Sequence, residues 1–181
     1  MSLWKLNTSN LGKYEEFKLL FEAHGASLEA THIDLKEIDA DPVSVIVHKA
    51  SQFDESILVD DTSLDIEGGR CGIHVRHLLD QLNEFAGCHA VWTVLLGIRK
   101  GNEILIYRGA VPGMIVKPQG NLGFGFDPVF LPDGTDKTLA QERRHEFNAR
   151  RQAVLALLEN RVWKIQPLNK NWDGPWQNSG Y

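Results

Sequence analysis

Cysteine is scarce in this 181-residue chain, with Cys71 and Cys88 the only two. They form neither a CxxC pair nor a Cys/His metal spacing. That excludes a disulfide scaffold or a zinc ribbon and fits a reduced, cytoplasmic setting. No stretch approaches the ~20 consecutive apolar residues that a membrane-spanning helix needs, so no span is expected. Lys5, Asn7 and Asn10 interrupt any apolar run near Met1, and no signal peptide is read there. Basic charge is not in excess: 19 Lys and Arg against 24 Asp and Glu leave a formal net charge of −5. This argues against a nucleic-acid polymer as the main ligand but leaves single nucleotides open. The strongly basic patch, "ERRHEFNARR", has a plain reading as a solvated helix face. Internal repeats, low-complexity tracts and a GxxxxGK[ST] loop are all missing, so any nucleotide is held by something other than a P-loop.

What is present suits one domain, or one domain with two lobes: 43% hydrophobic residues can build a core without a metal or disulfide staple. "LWKL" reads as a strand and "TSN" as a cap. The helix that follows carries Phe17, Leu20 and Phe21 at helical spacing and stops at Gly25. "SLEATHID" is a second strand, Pro42 opens a helix through "VSVIVHKASQF", and "SILVDDTSL" is a buried strand. "HVRHLLDQLNEF" is expected to be helical, and "HAVWTVLLGIR" and "NEILIYRGAV" are strands joined by "KGN". A last helix is expected over about Glu142 to Arg161, with Phe147, Val154, Leu157 and Leu158 inward. Strands alternating with helices, with a hairpin inserted, predict a mixed α/β fold. Residues 164–181 are polar and turn-rich and read as a C-terminal tail after a 1–163 domain.

Three stretches bear on chemistry. In "NTSNLGK" a strand–turn–helix junction offers helix N–H groups and the positive dipole end to a phosphate, with Lys13 adding charge; the plain alternative is an ordinary cap by Ser9 or Asn10. In "ILVDDTSLDIEGG" an apolar strand runs into Asp60 and Asp61, expected at its carboxyl end. Adjacent carboxylates repel, and a divalent cation such as Mg²⁺ relieves that; capping acids in a turn are the alternative. Glu37, expected at the end of another strand, is a further candidate ligand. In "GNLGFGFDPVF" the order G-x-x-G-x-G is followed by a strand rather than a helix, so a dinucleotide loop is excluded. What remains is Phe124 and Phe126 on either side of Gly125, either an aromatic platform for a base or a core hairpin.

Together and in this order, "TSNLGK", "LVDDTSL" and "GFGFDPVFLPDGTDKTLA" resemble the inosine triphosphate pyrophosphatase family, which hydrolyses non-standard purine nucleoside triphosphates. The resemblance covers about Leu3 to Leu158. It implies a mixed central sheet with flanking helices and two lobes around a nucleotide cleft, Mg²⁺ as cofactor and a homodimer. It also implies water attack on the α-phosphate, with pyrophosphate and a monophosphate as products. Thr8, Ser9, Asn10 and Lys13 would hold the triphosphate. Asp61 would bind metal and activate water, with Asp60 beside it and Glu37 linked to magnesium, while Lys49 lines the phosphate site. Thr62 would touch substrate, Phe124 would stack on the base, and Gly125, Phe126 and Asp127 would shape its pocket. The family's final K-N-x-x-S-H-R becomes "RHEFNAR" here, so Arg144 replaces the lysine and Arg150 keeps the arginine. Asn148 and Ala149 replace Ser and His, although His145 or Asn148 could substitute after a shift of register. The family's G-x-P-G-x-Y loop carries Cys71 and His74 in place of Pro and Tyr. Two other readings follow from these departures: a pyrophosphatase with altered base preference, and a non-catalytic nucleotide-binding protein.

Overall fold

Strands and helices alternate in a computed structural model that describes residues 2–68, 70–74 and 79–177, with the side chains of Arg70 and Cys71 outside the description. The order is β1 (Ser2–Asn7), α1 (Leu11–Ala23), β2 (Ala26–Thr31), α2 (Pro42–Ser51), β3 (Ile57–Ile66) and β4 (Arg70–Gly72). It continues with β5 (His89–Lys100), β6 (Glu103–Ile115), β7 (Phe130–Pro132), α3 (Ala149–Leu158) and β8 (Lys164–Pro167). The strands form a mixed eight-stranded sheet in the order β2-β1-β3-β5-β6-β7, with β4 added to β3 and β8 to β6. β1 is parallel to β2 and β3, whereas β4, β7 and β8 are antiparallel to their partners. The chain is therefore mixed α/β, with helices flanking a central sheet. It divides into two units: Met1–Asp61, Leu95–Arg108 and Ala153–Tyr181 form one, Thr62–Val94 and Gly109–Gln152 the other.

In the first unit, α1 buries Phe17, Leu20 and Phe21, with Phe21 edge-on to Trp4 of β1 at 6.3 Å. Asn10 caps it, its side chain accepting from the Lys13 N–H at 3.0 Å. Helix α2 forms despite the run "VSVIV", in which β-branched residues sacrifice a few tenths of a kcal/mol each. Asp41 caps it through the Ser44 N–H, Pro42 fits its first turn, and Val45, Ile46, Val47 and Ala50 are buried. Ile46, Val47 and Ala50 join Val59, Leu95, Ile104 and Ile106 in the core of this unit. Tertiary burial outweighs local propensity here.

In the second unit, Trp92, Phe126 and Phe130 pack edge to face, with centroids 5.8–6.3 Å apart. Such pairs add about 0.5–1.5 kcal/mol each beyond their buried area.

Several sequence expectations are corrected. "FDPVF" is not all strand: Asp127–Val129 is a 3-10 turn and β7 starts at Phe130, because Pro128 fixes its φ and lacks a ladder donor. The final helix starts at Ala149 rather than Glu142. Asn148 caps it, with its Oδ1 accepting from the Arg151 N–H at 3.1 Å, and His145–Phe147 forms a separate 3-10 turn. The helix ends with Asn160 in the left-handed region at φ 52°. Leu79–Phe85 is a 3-10 helix, and residues 75–78 of the helix expected there lie outside the described residues. The tail reading, which leaves its order open, is not corrected: within it Lys164–Pro167 pairs with Glu103–Ile106 of β6, and residues 178–181 lie outside the description.

Candidate functional site

The strand–turn–helix junction after β1 presents the N–H groups of the first turn of α1 and the positive end of its dipole. Thr8 is buried, donating its N–H to Thr31 O at 3.0 Å while its Oγ1 accepts from the Asn10 N–H at 3.1 Å. Ser9 and Asn10 are exposed. Capping needs only Asn10, which leaves Ser9 at the surface of the turn. Lys13 reaches from the first turn to Asp60, with Nζ 3.0 Å from Oδ2.

Asp60 and Asp61 lie in the middle of β3, which runs on to Ile66, and not at its carboxyl end. Both are buried, at 3% and 8% exposure. Glu37 is likewise not at a strand end: β2 stops at Thr31, and residues 32–37 are irregular. Asn7 anchors the start of this connector, its Nδ2 donating to Ile33 O and its Oδ1 accepting from the Ile33 N–H at 2.8 Å. Lys49, on the last turn of α2, ties the cluster together. Its Nζ lies 3.1 Å from Glu37 Oε1 and donates to the Asp60 carbonyl at 2.6 Å. Burial works to lower the Lys49 pKa, but the carboxylates of Glu37, Asp61 and Asp60 outweigh it and hold the group above its ordinary value. Asp61 is the member left over: its Oδ2 is buried with no hydrogen-bond partner. Burial, with Glu37 and Asp60 adding repulsion against the pull of Lys49 and Lys13, pushes its pKa up to about 7. Two lysines against three acids leave this cluster one negative charge in excess when all are ionised. Among the described residues no three His, Cys, Asp or Glu side chains are gathered as a metal-holding group.

The second unit holds the other predicted residues. Thr62 Oγ1 is buried without a hydrogen-bond partner. The glycine loop is stitched by "TLA": Thr138 Oγ1 donates to Gln119 O at 2.6 Å, and the Ala140 N–H donates to Asp127 O at 3.2 Å. Asp127 is 2% exposed, and its Oδ2 accepts from the Phe124 N–H at 3.0 Å and from Arg143 Nη1 at 2.6 Å. Gly123, at φ +72°, lies so close that a Cβ there would overlap the Asp127 carboxylate. Gly125 is exposed at φ +62°, and Phe126 is buried against Trp92 and Phe130 as core packing. Phe124 is half-buried, with the Arg150 guanidinium 4.9 Å from its ring centroid and 5.2 Å from that of Trp92. Arg150 is itself 3% exposed and held between the two rings.

Arg144 pairs instead with Glu146 and lies over Phe147, with its side chain 42% exposed. His145 is exposed, Asn148 caps α3, and Ala149 is fully buried. His74 is half-buried, whereas the Cys71 side chain lies outside the description. Sequence reasoning missed Arg143, Trp92 and Asn7. The nearly continuous apolar run of β5 could have flagged Trp92 as buried. Arg143 had no such signal, because residue type alone does not choose between two adjacent arginines.

The sequence model of the Ham1 family matches residues 4–160. A dITP/XTP pyrophosphatase of Thermococcus kodakarensis is 29% identical over 176 residues, covering 86% of this chain and 94% of that protein. Another from Methanopyrus kandleri is 27% identical over 156 residues, covering 74% and 81%. Among solved structures, a HAM1 protein from Coxiella burnetii superposes with a TM-score of 0.67 at 21% identity, covering 88% of this chain and 98% of that one. A nucleoside-triphosphatase, dITP/XTP pyrophosphatase, from Mycobacterium abscessus gives 0.57 at 23% identity, with coverage of 87% and 98%. These two structures share the fold.

Proposed function

The chain belongs to the Ham1 family, and from that premise we propose that it hydrolyses a nucleoside triphosphate of the non-standard purine kind to the monophosphate and pyrophosphate. The observation that carries this reading is the buried cluster of Lys13, Lys49, Glu37, Asp60 and Asp61, with one carboxylate oxygen of Asp61 unsatisfied. A merely structural cluster of this kind would pair its acids fully, since an unsatisfied buried oxygen costs about 1–3 kcal/mol.

The donor set fits Mg²⁺, which takes one or two carboxylates and completes its shell with water and phosphate oxygens. Asp61 and Glu37 are the carboxylates that would hold it, with Asp60 beside them. When bound, the ion would neutralise charge developing on the phosphates. The remaining work belongs to side chains. The first turn of α1 and Lys13 would receive phosphate oxygens, and Lys49 would hold Glu37 in place while adding positive charge. Asp61, whose Oδ2 has no hydrogen-bond partner, would orient a water and accept its proton as oxygen bonds to the α-phosphorus and the bond to the pyrophosphate oxygen breaks. Water and triphosphate thus become monophosphate, pyrophosphate and one proton. Half-buried Phe124, with the buried Arg150 guanidinium against its ring, would offer a flat face on which a purine can stack. The resemblance to the family also supports a homodimer, which sedimentation tests.

Pyrophosphate release from ITP, dITP, XTP and the four common triphosphates, with and without Mg²⁺, tests the reading. Orthophosphate as the sole product would refute the cleavage position. A second reading, altered base preference, is favoured by one observation: Asn148 is spent on capping and Ala149 offers no donor. Preference for a triphosphate outside ITP, dITP and XTP in the same panel would establish it.

A further inference from the structure

We infer that residues 168–177 form a clamp that positions Glu37 for metal binding, a role that rests on the proposed reading of the acid cluster. The clamp lies beyond residue 160, where the family match ends. Glu37 sits on an irregular connector, so neither a helix nor a sheet ladder fixes it. Asn7 anchors the first part of this connector at Ile33. The part bearing Glu37 is held from the C-terminal side. The Gln177 N–H donates to the Glu37 carbonyl at 2.8 Å, and Gln177 Nε2 donates to the Ile38 carbonyl at 3.0 Å. Ile38 bridges to Trp176, and the Asp39 N–H donates to the Pro175 carbonyl at 2.9 Å. Three consecutive connector residues are thus paired with three consecutive clamp residues, through hydrogen bonds from or to Gln177 and Pro175.

The same segment also grips the helix that carries Lys49. The Asn169 N–H donates to Ser51 Oγ at 2.9 Å, Gln52 Nε2 donates to the Lys170 carbonyl at 3.2 Å, and Trp176 lies edge-on to His48 at 5.5 Å. One stretch therefore fixes both partners of the Lys49–Glu37 ion pair. Gln177 is 6% exposed and Ile38 is fully buried, which marks a packed contact rather than a surface strand. Metal ligands depend on such supporting contacts, whose loss typically lowers affinity by about 10–100-fold.

The test compares the full chain with a chain ending at Gly174 and with Gln177→Ala in the full chain, using Mn²⁺ affinity by electron paramagnetic resonance without substrate. Amide exchange at residues 37–39 is read in parallel. The truncated chain is expected to bind Mn²⁺ about tenfold more weakly. Gln177→Ala keeps the main-chain bond to Glu37 but loses the one to Ile38, so its loss of affinity is expected to be smaller. Both variants are expected to exchange faster at 37–39, with cooperative melting retained. In a Glu37→Gln background, truncation should change Mn²⁺ affinity little, because both changes act on the same ligand. Unchanged affinity in Gln177→Ala and the truncated chain, or losses that add fully to that of Glu37→Gln, would overturn the clamp. If the truncated chain fails to fold, Gln177→Ala decides alone. Because affinity is read without turnover, a wild-type chain that hydrolyses no triphosphate would refute the proposed reaction while the Mn²⁺ shift still decides the clamp.

Discussion

Asp61 carries opposite consequences for activity and stability. Its carboxyl titrates near 3.8 in an unfolded chain and about 7 when folded. Between those values the folded protein holds a proton that the unfolded chain has released, so stability in metal-free buffer falls as pH rises through that window. Asp61→Asn is expected to melt higher than wild type at pH about 7.5, by an amount up to about 4 kcal/mol, and to differ little at pH about 4. The same variant should lose at least ~100-fold in turnover. Thermal melts across pH, paired with pyrophosphate release, check both halves. Arg143 and Arg144 separate just as sharply. Arg143→Ala leaves the buried Asp127 carboxylate without that partner and should destabilise by about 2 kcal/mol, discounted from fully buried pairs because Arg143 is partly exposed. Arg144→Ala removes an exposed pair and should change stability by less than about 0.5 kcal/mol. Urea unfolding of both variants distinguishes them. The sequence motif pointed to Arg144, and which of two adjacent arginines meets a buried acid depends on backbone geometry that residue type does not encode.

At the scale of elements, the glycine loop depends on Gly123. Gly123→Ala would force a side chain into the left-handed region and against the Asp127 carboxylate, costing about 1–3 kcal/mol. Its expected signature is a raised KM for the triphosphate with a lowered melting temperature, whereas Gly125→Ala, with open space around it, should pay only for its backbone conformation. β1, α1, β2, α2, β3 and the β5–β6 hairpin were legible in the sequence, because each has a clear apolar period and a cap or turn at its boundary. The start of α3 was not. "ERRHEFNARR" has helical composition throughout, and only the Asn148 cap, seen in three dimensions, decides where the helix begins. The site divided in the same way. Lys13, Asp60 and Asp61 sat in readable motifs; Glu37 was named as a candidate too, but at a strand end, whereas it lies on a connector whose path is fixed by contacts far away in sequence.

For the whole molecule, ligand and metal should act on stability together. Mg²⁺ with a non-hydrolysable triphosphate at about 100 times its Kd should stabilise by about 2.7 kcal/mol, and EDTA should remove most of that gain. Calorimetry with each component alone and both combined checks it; equal shifts with and without metal would show that the acids play no part in binding.

The Gln177–Ile38 hydrogen bond joins residues 139 positions apart. During synthesis at about 5–20 residues per second, the connector bearing Glu37 would wait roughly 7–30 s for the segment that secures it. Until then the nascent chain carries three acids near two lysines without the contact that fixes their geometry, and loop closure over that distance is entropically slow. Maturation of the acid cluster is therefore set by contact order: the first unit is expected to gain its secondary structure early and its ordered acid cluster last.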